Sequence, residues 1–482
     1  MLRWSLRRRG RTVGRMSIIE SSPPGERTQV APRARRRTVT LFGISLAYFM
    51  VLLDTTVLSV AEPDLAASLH TSTAGLQWAT TGYTVVFAAL LPSSGAVADR
   101  HGVHRVFRAG VAVFGVGSLM CALAPALGIL VGLRAVLGVA AAACVPASMA
   151  MITRLYPDAA ERTRAVATWA ATSGAAMAAG PIAGGALVGL AGWRAVFLVN
   201  VPIAALVLVL TAGRAVRCPR GHRRIDWAAQ AAGCVALALG TDALIAAGGR
   251  SWPHAAGSGA AAVLAGAVFV LAERRSPAPV VNRVLLRAEG VGAGLAVGAA
   301  VNFTLSGGLF VLPLLLQQEY RLSPIATGLA FLPLTLPFAL NPPITGRIVL
   351  RFGPRPPILA GMTLMTAGCL VLFCAVRWDA GYVLPAFGLL LTGLGVSSAL
   401  PALVTAIMGA APDGTAGAVG GLLNATRQSG ATLGVAAMGA TISLGTGSTY
   451  AFLLAAVVCA ASAAWFARGS ATTQARPDDG RQ

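Results

Sequence analysis

The chain has 482 residues, of which 56% are hydrophobic and only 11% charged, with a mean hydropathy of +0.71. That composition cannot clothe the two or three soluble domains a chain of this length would otherwise form, and apolar runs of about 18 residues or more recur from Thr40 to Phe466. The pattern is that of a polytopic, all-α membrane protein. All 38 basic residues are arginine, which excludes a phosphate-loop lysine and a Schiff-base lysine together, so ATP-driven transport by this chain alone is not expected.

In chain order, the first 38 residues hold 11 arginines among Pro, Ser and Gly, and are expected to form a disordered cytosolic tail. A cleaved signal peptide is not expected, because the basic run is long and no small-residue cleavage site closes the first apolar run; Met16 is an alternative start. Apolar windows of about 20 residues follow near 39–61, 74–97, 106–125, 128–153, 165–190, 195–213 and 227–247. Seven more lie near 257–272, 291–316, 325–349, 357–376, 383–408, 416–443 and 449–467, for fourteen predicted transmembrane helices with both termini on one side. Arg194, Arg250, Arg321 and Arg377 are the arginines of the loops this threading puts outside, Arg134 and Arg427 lie inside predicted helices, and all the others are cytoplasmic. The net charge of +21 is therefore mostly a topology signal, and no nucleic-acid partner is expected.

The seven cysteines, Cys121, Cys144, Cys218, Cys234, Cys369, Cys374 and Cys459, lack metal-ligand spacing and read as small core residues. His70, His101, His104, His222 and His254 lie mostly in loops, with no acidic or cysteine cluster to complete a site. Neither a metal nor a cofactor is expected.

The segment from Gly95 to Gly110, GAVADRHGVHRVFRAG, aligns at an offset of 251 with GRIVLRFGPRPPILAG from Gly346 to Gly361. Both copies follow an even-numbered predicted helix. Two six-helix bundles separated by an extra pair produce that offset. The resulting division is a tail at 1–38, a bundle at 39–213, the extra pair with its basic linker at 214–275, a bundle at 276–467 and a tail at 468–482.

Several motifs together resemble the major facilitator superfamily, in particular its fourteen-helix drug:proton antiporters, over Leu41 to Trp465. The loop with Gly95, Asp99, Arg100, Gly102 and Arg105 is similar to the family's cytoplasmic signature, which implies a conformational gate; Leu350 replaces the acid in the second copy. Helix one, LLDTTVLSVAEPDL, resembles the family's aspartate pattern. Asp54 lies about 12 Å from the outer end, and Arg134 in LRAVLGVAAAACVP about 9 Å from its own, so their depths match. A buried carboxylate beside a cation suits a reversible proton carrier, and it equally suits a static ion pair joining helices one and four. Leu137 stands where the family usually has glutamine.

Helix five, SGAAMAAGPIAGGAL from Ser173, resembles the family's exporter motif through Gly180, Pro181, Gly184 and Gly185. Gly180 and Gly184 make a small-xxx-small face, and Pro181 cannot donate to the Met177 carbonyl. GWRAVFLVNVPIA after it, and GLLNATRQSGATLGV on helix thirteen, resemble the same group. Arg427 either binds an anionic or carbonyl-rich substrate or pairs internally with a residue such as Asn424. Tyr83, Asn302, Phe303 and Asn341 are weaker substrate-contact candidates. Asp242 on the extra pair is expected to be structural, and Glu62 to be a solvated interfacial acid.

The resemblance implies a proton-coupled antiporter of the bacterial cytoplasmic membrane, acting as a monomer on a small hydrophobic drug or antibiotic by alternating access. A proton-coupled uptake permease of the same fold is the alternative. An enzyme or sensor is disfavoured, since no nucleophile, base and orienting acid cluster together.

Overall fold

The protein is described by a computed structural model covering residues 24–213, 226–276, 290–378, 380–410, 416–445 and 447–474. The helices are α1 Pro24–Ser68, α2 Thr73–His101, α3 Val103–Ala122, α4 Leu127–Leu155, α5 Ala159–Ala191, α6 Ala195–Leu198, α7 Asn200–Leu210, α8 Trp227–Gly248 and α9 Trp252–Arg275. They continue as α10 Val291–Leu314, which runs into a π-helical turn at Leu315–Glu319, then α11 Pro324–Ala330, α12 Leu332–Leu340, α13 Pro342–Phe352, α14 Arg355–Arg377, α15 Val383–Gly409, α16 Ala416–Ser443 and α17 Gly447–Gln474. Among the described residues 11 helices are long and apolar enough to cross a membrane. In hydrocarbon every backbone N–H and C=O needs a partner within the chain, which a helix supplies locally.

Two predicted windows are broken in the structure, and proline accounts for both. The window near 195–213 divides at Val199, where Pro202 has no N–H to give the Leu198 carbonyl. The window near 325–349 divides at Phe331 and Asn341, beside Pro333, Pro342 and Pro343. The helical boundary also differs from expectation at the start. Since α1 begins at Pro24, residues 24–38 are helical rather than unstructured, arginine being a good helix former that extends the first span. Residues 1–23, the linker at 214–225 with Cys218, and residues 475–482 lie outside the described residues.

The internal repeat has a structural counterpart. Gly102 ends α2 at φ 95 and Gly353 ends α13 at φ 79, and their N–H groups bond back to Ala98 and Val349 at 2.9 Å each. Positive φ at both places explains why glycine recurs at this offset.

Helix α1 packs on α4, α5 and α7, α2 on α4, and α3 on α4 and α7; in the later half α10 packs on α16 and α17, and α14 on α15 and α17. The two groups meet along α2 with α16, α5 with α11 and α12, and α1 with α10. The pair α8–α9 flanks this seam, α8 resting on both α2 and α16.

Glycine sets the closest crossings. A Cβ at Gly430 or Gly434 of α16 would collide with the α10 backbone at Ala299 or Phe303. Gly434→Ala is therefore expected to destabilise the protein by about 1–3 kcal/mol through overpacking. Gly266→Ala on α9, with open space around it, should leave the thermal midpoint in detergent unchanged.

Candidate functional site

Asp54 and Arg134 meet as an ion pair between Oδ2 and Nη1, with side chains only 1% exposed. Asn200 at the start of α7 completes the group, its Nδ2 donating to Asp54 Oδ1 at 3.0 Å. Arg134 Nε donates to the Ala79 carbonyl at 3.1 Å, and its guanidinium lies 4.6 Å from the Tyr83 ring centroid and 6.0 Å from that of Phe197. Helices α1, α2 and α6 thus bring a carboxylate, a carbonyl and aromatic faces to the α4 cation, and α7 brings an amide to the carboxylate. Removing either charge would strand the other in an apolar interior. Leu137, in the usual glutamine position, is fully buried and packs where Gly117 leaves room.

The exposure of Tyr83 is 0%, which leaves it no surface for cargo in this conformation. The other substrate-contact candidates lie in the later half. Arg427 Nε donates to Asn302 Oδ1 and Nη1 to Asn424 Oδ1, both at 3.2 Å. Phe303 is half-buried with its backbone against Gly434, and Asn341, at the α12–α13 break, donates to Ser397 and Ser398 Oγ at 2.9 and 2.8 Å. Across the seam Tyr48 of α1 and Trp169 of α5 stack at 4.1 Å with planes 6° apart.

Tyr48, Trp169 and Asn200 are absent from the sequence-based candidates. For Asn200 a signal exists, a lone amide two residues before a proline in an apolar run. For the two aromatics nothing local distinguishes a cavity wall from a packed core.

The α5 glycines serve two neighbours. Gly180 and Gly184 let α5 lie against Thr56 and Val57 of α1, while Gly185 and the Pro181 carbonyl meet Pro324 and Gly328 of α11 across the seam. All these contacts lie towards the α1–α2 turn. Towards the α2–α3 turn α5 is uncovered, with Thr163, Arg164 and Thr168 exposed, and a Cβ at Gly95 would meet nothing. In the loop signature Asp99 is half-buried and makes no ion pair among the described residues; Arg100 and Arg105 are exposed and line a surface pocket with His101. The seam is thus shut at the α1–α2 end and open beside α5 at the other.

Two acids complete the inventory. Asp242 accepts from Ser258 and lies 2.7 Å from His254 Nε2 on α9, bonding the extra pair together. Glu62 is 2% exposed, so the expectation of a solvated interfacial acid is corrected: α2 covers it, and Thr80 Oγ1 donates to its Oε1 at 2.9 Å.

The chain is a multi-pass helical bundle with a sealed ion pair in one half and a polar cluster at the seam, and its family makes it a membrane transporter. The chain belongs to the Major Facilitator Superfamily, whose profile matches residues 44–435 and 295–482. It is 34% identical over 411 residues to the multidrug resistance protein Stp of Mycobacterium tuberculosis (strain CDC 1551 / Oshkosh), covering 85% of this chain and 76% of that one. The tetracenomycin C resistance and export protein of Streptomyces glaucescens is 33% identical over 418 residues, covering 85% and 77%. For the methylenomycin A resistance protein of Bacillus subtilis (strain 168) the figures are 34% over 433 residues, covering 88% and 93%. A crystal structure of a D-xylose-proton symporter shares the fold, with a TM-score of 0.66 at 12% identity over 89% of this chain and 97% of that one.

Asp54→Leu and Arg134→Leu are each expected to cost about 3–5 kcal/mol, because each leaves one buried charge unpaired. The double substitution should lie closer to the wild type in thermal stability than either single variant; additive losses would show that the two charges are not coupled.

Proposed function

We propose that this transporter exports hydrophobic drug- or antibiotic-like molecules in exchange for protons across the bacterial cytoplasmic membrane, working as a monomer. The reading takes fourteen spans, adding the broken spans α6–α7 and α11–α13 and the less apolar α16 to the 11 long helices. Residues 39–213 and 276–467 are then two six-span bundles, 214–275 carries the inserted pair, and both termini are cytoplasmic. Arginine-rich loops support a cytoplasmic α2–α3 end, which makes the open side the inner one.

Cargo enters from that side and lodges between the Tyr48–Trp169 stack and the Arg427, Asn302 and Asn424 group. Stacked rings favour planar apolar cargo, and a guanidinium held only by amides favours neutral or weakly anionic over cationic compounds. In the complementary state the α2–α3 loop closes, and Asp99, Arg100 and Arg105 are the residues available to latch it.

Asp54 carries the coupling. Taking a proton cancels its attraction for Arg134 and loosens α1 from α4 and α7, whose packing the pair maintains. Helix α1 also supports α5 and α10 at the seam, so the change reaches the interface between the halves. Each charge that crosses supplies about 2.3 kcal/mol per 100 mV. The observation that carries this reading is the Asp54–Arg134–Asn200 group, sealed in a chain whose relatives are named for drug resistance and export.

Acid-loaded inverted vesicles with a pH-sensitive dye test it. A panel of antibiotics and lipophilic dyes is expected to trigger proton release from wild-type vesicles and none from vesicles with folded Asp54→Asn. Antiport preserved in Asp54→Asn would remove Asp54 from the mechanism; accumulation or loss of a nutrient with no response to any drug would replace export by uptake.

A further inference from the structure

Glu62 is a buried acid that the export cycle leaves unused, and its surroundings are unusual. Its carboxylate is almost wholly enclosed. Oε1 receives one hydrogen bond, from Thr80, and Oε2 is buried with no partner. An ionised carboxylate with a single hydroxyl donor in an apolar site is far costlier than the neutral acid, which keeps the Thr80 bond and carries no charge.

The neighbouring charges do not supply compensation. Arg134 on α4 is committed to Asp54, Asp242 on α8 to Ser258, and Arg427 on α16 is bonded to Asn302 and Asn424. Asp64, on the same helix, is taken by the Trp193 N–H at 2.7 Å, and Arg194 lies over the Trp193 ring. Helices α6, α7, α10 and α11 carry no ionisable charge. Asp99, Arg100 and His101 on α2, Arg154 on α4 and Glu161, Arg162 and Arg164 on α5 belong to the opposite end, and Glu319 is exposed.

Glu62 also stands between two clasps that hold the halves together. Two residues before it, the Val60 carbonyl accepts from Gln317 Nε2 of the π-helical turn at 3.0 Å. One turn before Thr80, Gln77 Nε2 donates to the Val435 and Ala436 carbonyls of α16 at 3.1 and 2.8 Å. Parting the halves here would break both clasps and admit water to Glu62, where the charged form is solvated.

We propose that Glu62 is a second proton-binding site of this transporter, neutral while the α1–α2 end is shut and ionised once it opens. A proton taken up there shuts the end, because the conformation that holds the proton more tightly gains population as pH falls. That this proton comes from outside rests on the orientation given under the proposed function; the linkage of protonation to closure does not.

The test uses the full chain in lipid nanodiscs, without cargo. Spin labels at Ser68 and Gln318 report the separation of the halves, and infrared difference spectra report protonated carboxyl groups. The wild type is expected to show a short separation at about pH 5 and a growing long-distance population towards about pH 9, changing by at most about tenfold per pH unit. Glu62→Gln, the neutral isostere, should hold the short distance throughout and lose a protonated-carboxyl band that Asp54→Asn retains. Glu62→Asp should restore a pH-dependent distance with a shifted midpoint, which separates loss of titration from loss of fold. A pH-independent wild type, or Glu62→Gln with wild-type behaviour, overturns the proposal. Vesicles that show antiport while Glu62→Gln keeps the wild-type distance response overturn this site alone. A distance response abolished by Glu62→Gln in vesicles without drug-linked proton release supports this site and removes the antiport reading.

Discussion

A cationic guanidinium with 1% of its side chain exposed is the costliest object in the first half of this protein, and the surrounding helices are arranged around it. Asp54 neutralises Arg134, Asn200 holds Asp54, and Ala79 and Tyr83 supply a carbonyl and a ring face. The partners of this α4 charge come from three other helices, α1, α2 and α7, so the charge acts as a junction for the whole half. The break before α7, made by Pro202, serves the same charge. A span interrupted at Val199 brings Asn200 to the start of a new helix, with its amide between Asp54 and Ser118.

The seam between the halves is built on the opposite principle. It carries backbone against backbone, through glycines and a proline on α5 and α11, with few polar clasps. Such a surface has little directional bonding to break. Van der Waals contacts that depend on close approach are lost together when two helices part, whereas the ion pair inside the first half stays enclosed. A rigid half and a separable seam are the mechanical requirements for moving a binding site between two sides of a membrane.

The sequence made the long apolar helices, the paired glycine turns and the meeting of Asp54 with Arg134 legible, because each rests on a local rule. Length and apolarity identify helices, positive φ demands glycine at both 102 and 353, and a carboxylate and an arginine at equal depth have few other partners. Features that depend on what lies opposite were not legible. Tyr48 and Trp169 are ordinary aromatics until α1 and α5 are placed side by side, and Tyr83 is an ordinary cavity candidate until Arg134 covers it. Glu62 sits near a helix end, where an acid is normally wet; α2 packs over it, and the second half meets α1 and α2 beside it. The proline breaks in α6–α7 and α11–α13 were visible as residues, but hydropathy windows average over them.

The two halves divide the chemistry unevenly, despite their common repeat. Asp54, Glu62 and Arg134 are in the first half, while Arg427 in the second bonds to amides and, among the described residues, has no carboxylate partner. A guanidinium held by amides keeps its charge available to a ligand; one neutralised by a carboxylate does not. In the proposed cycle titration acts in one half and recognition leans on the other, with Tyr48 and Trp169 reaching across from the titrating side. Because α1 carries Tyr48, Asp54 and Glu62, a proton bound at either acid would, in the proposed cycle, act on the helix that also forms one wall of the proposed cargo site. The proposed coupling then needs no long pathway, since a single helix bears the aromatic wall, the acid of the ion pair and the clasp at the closed end.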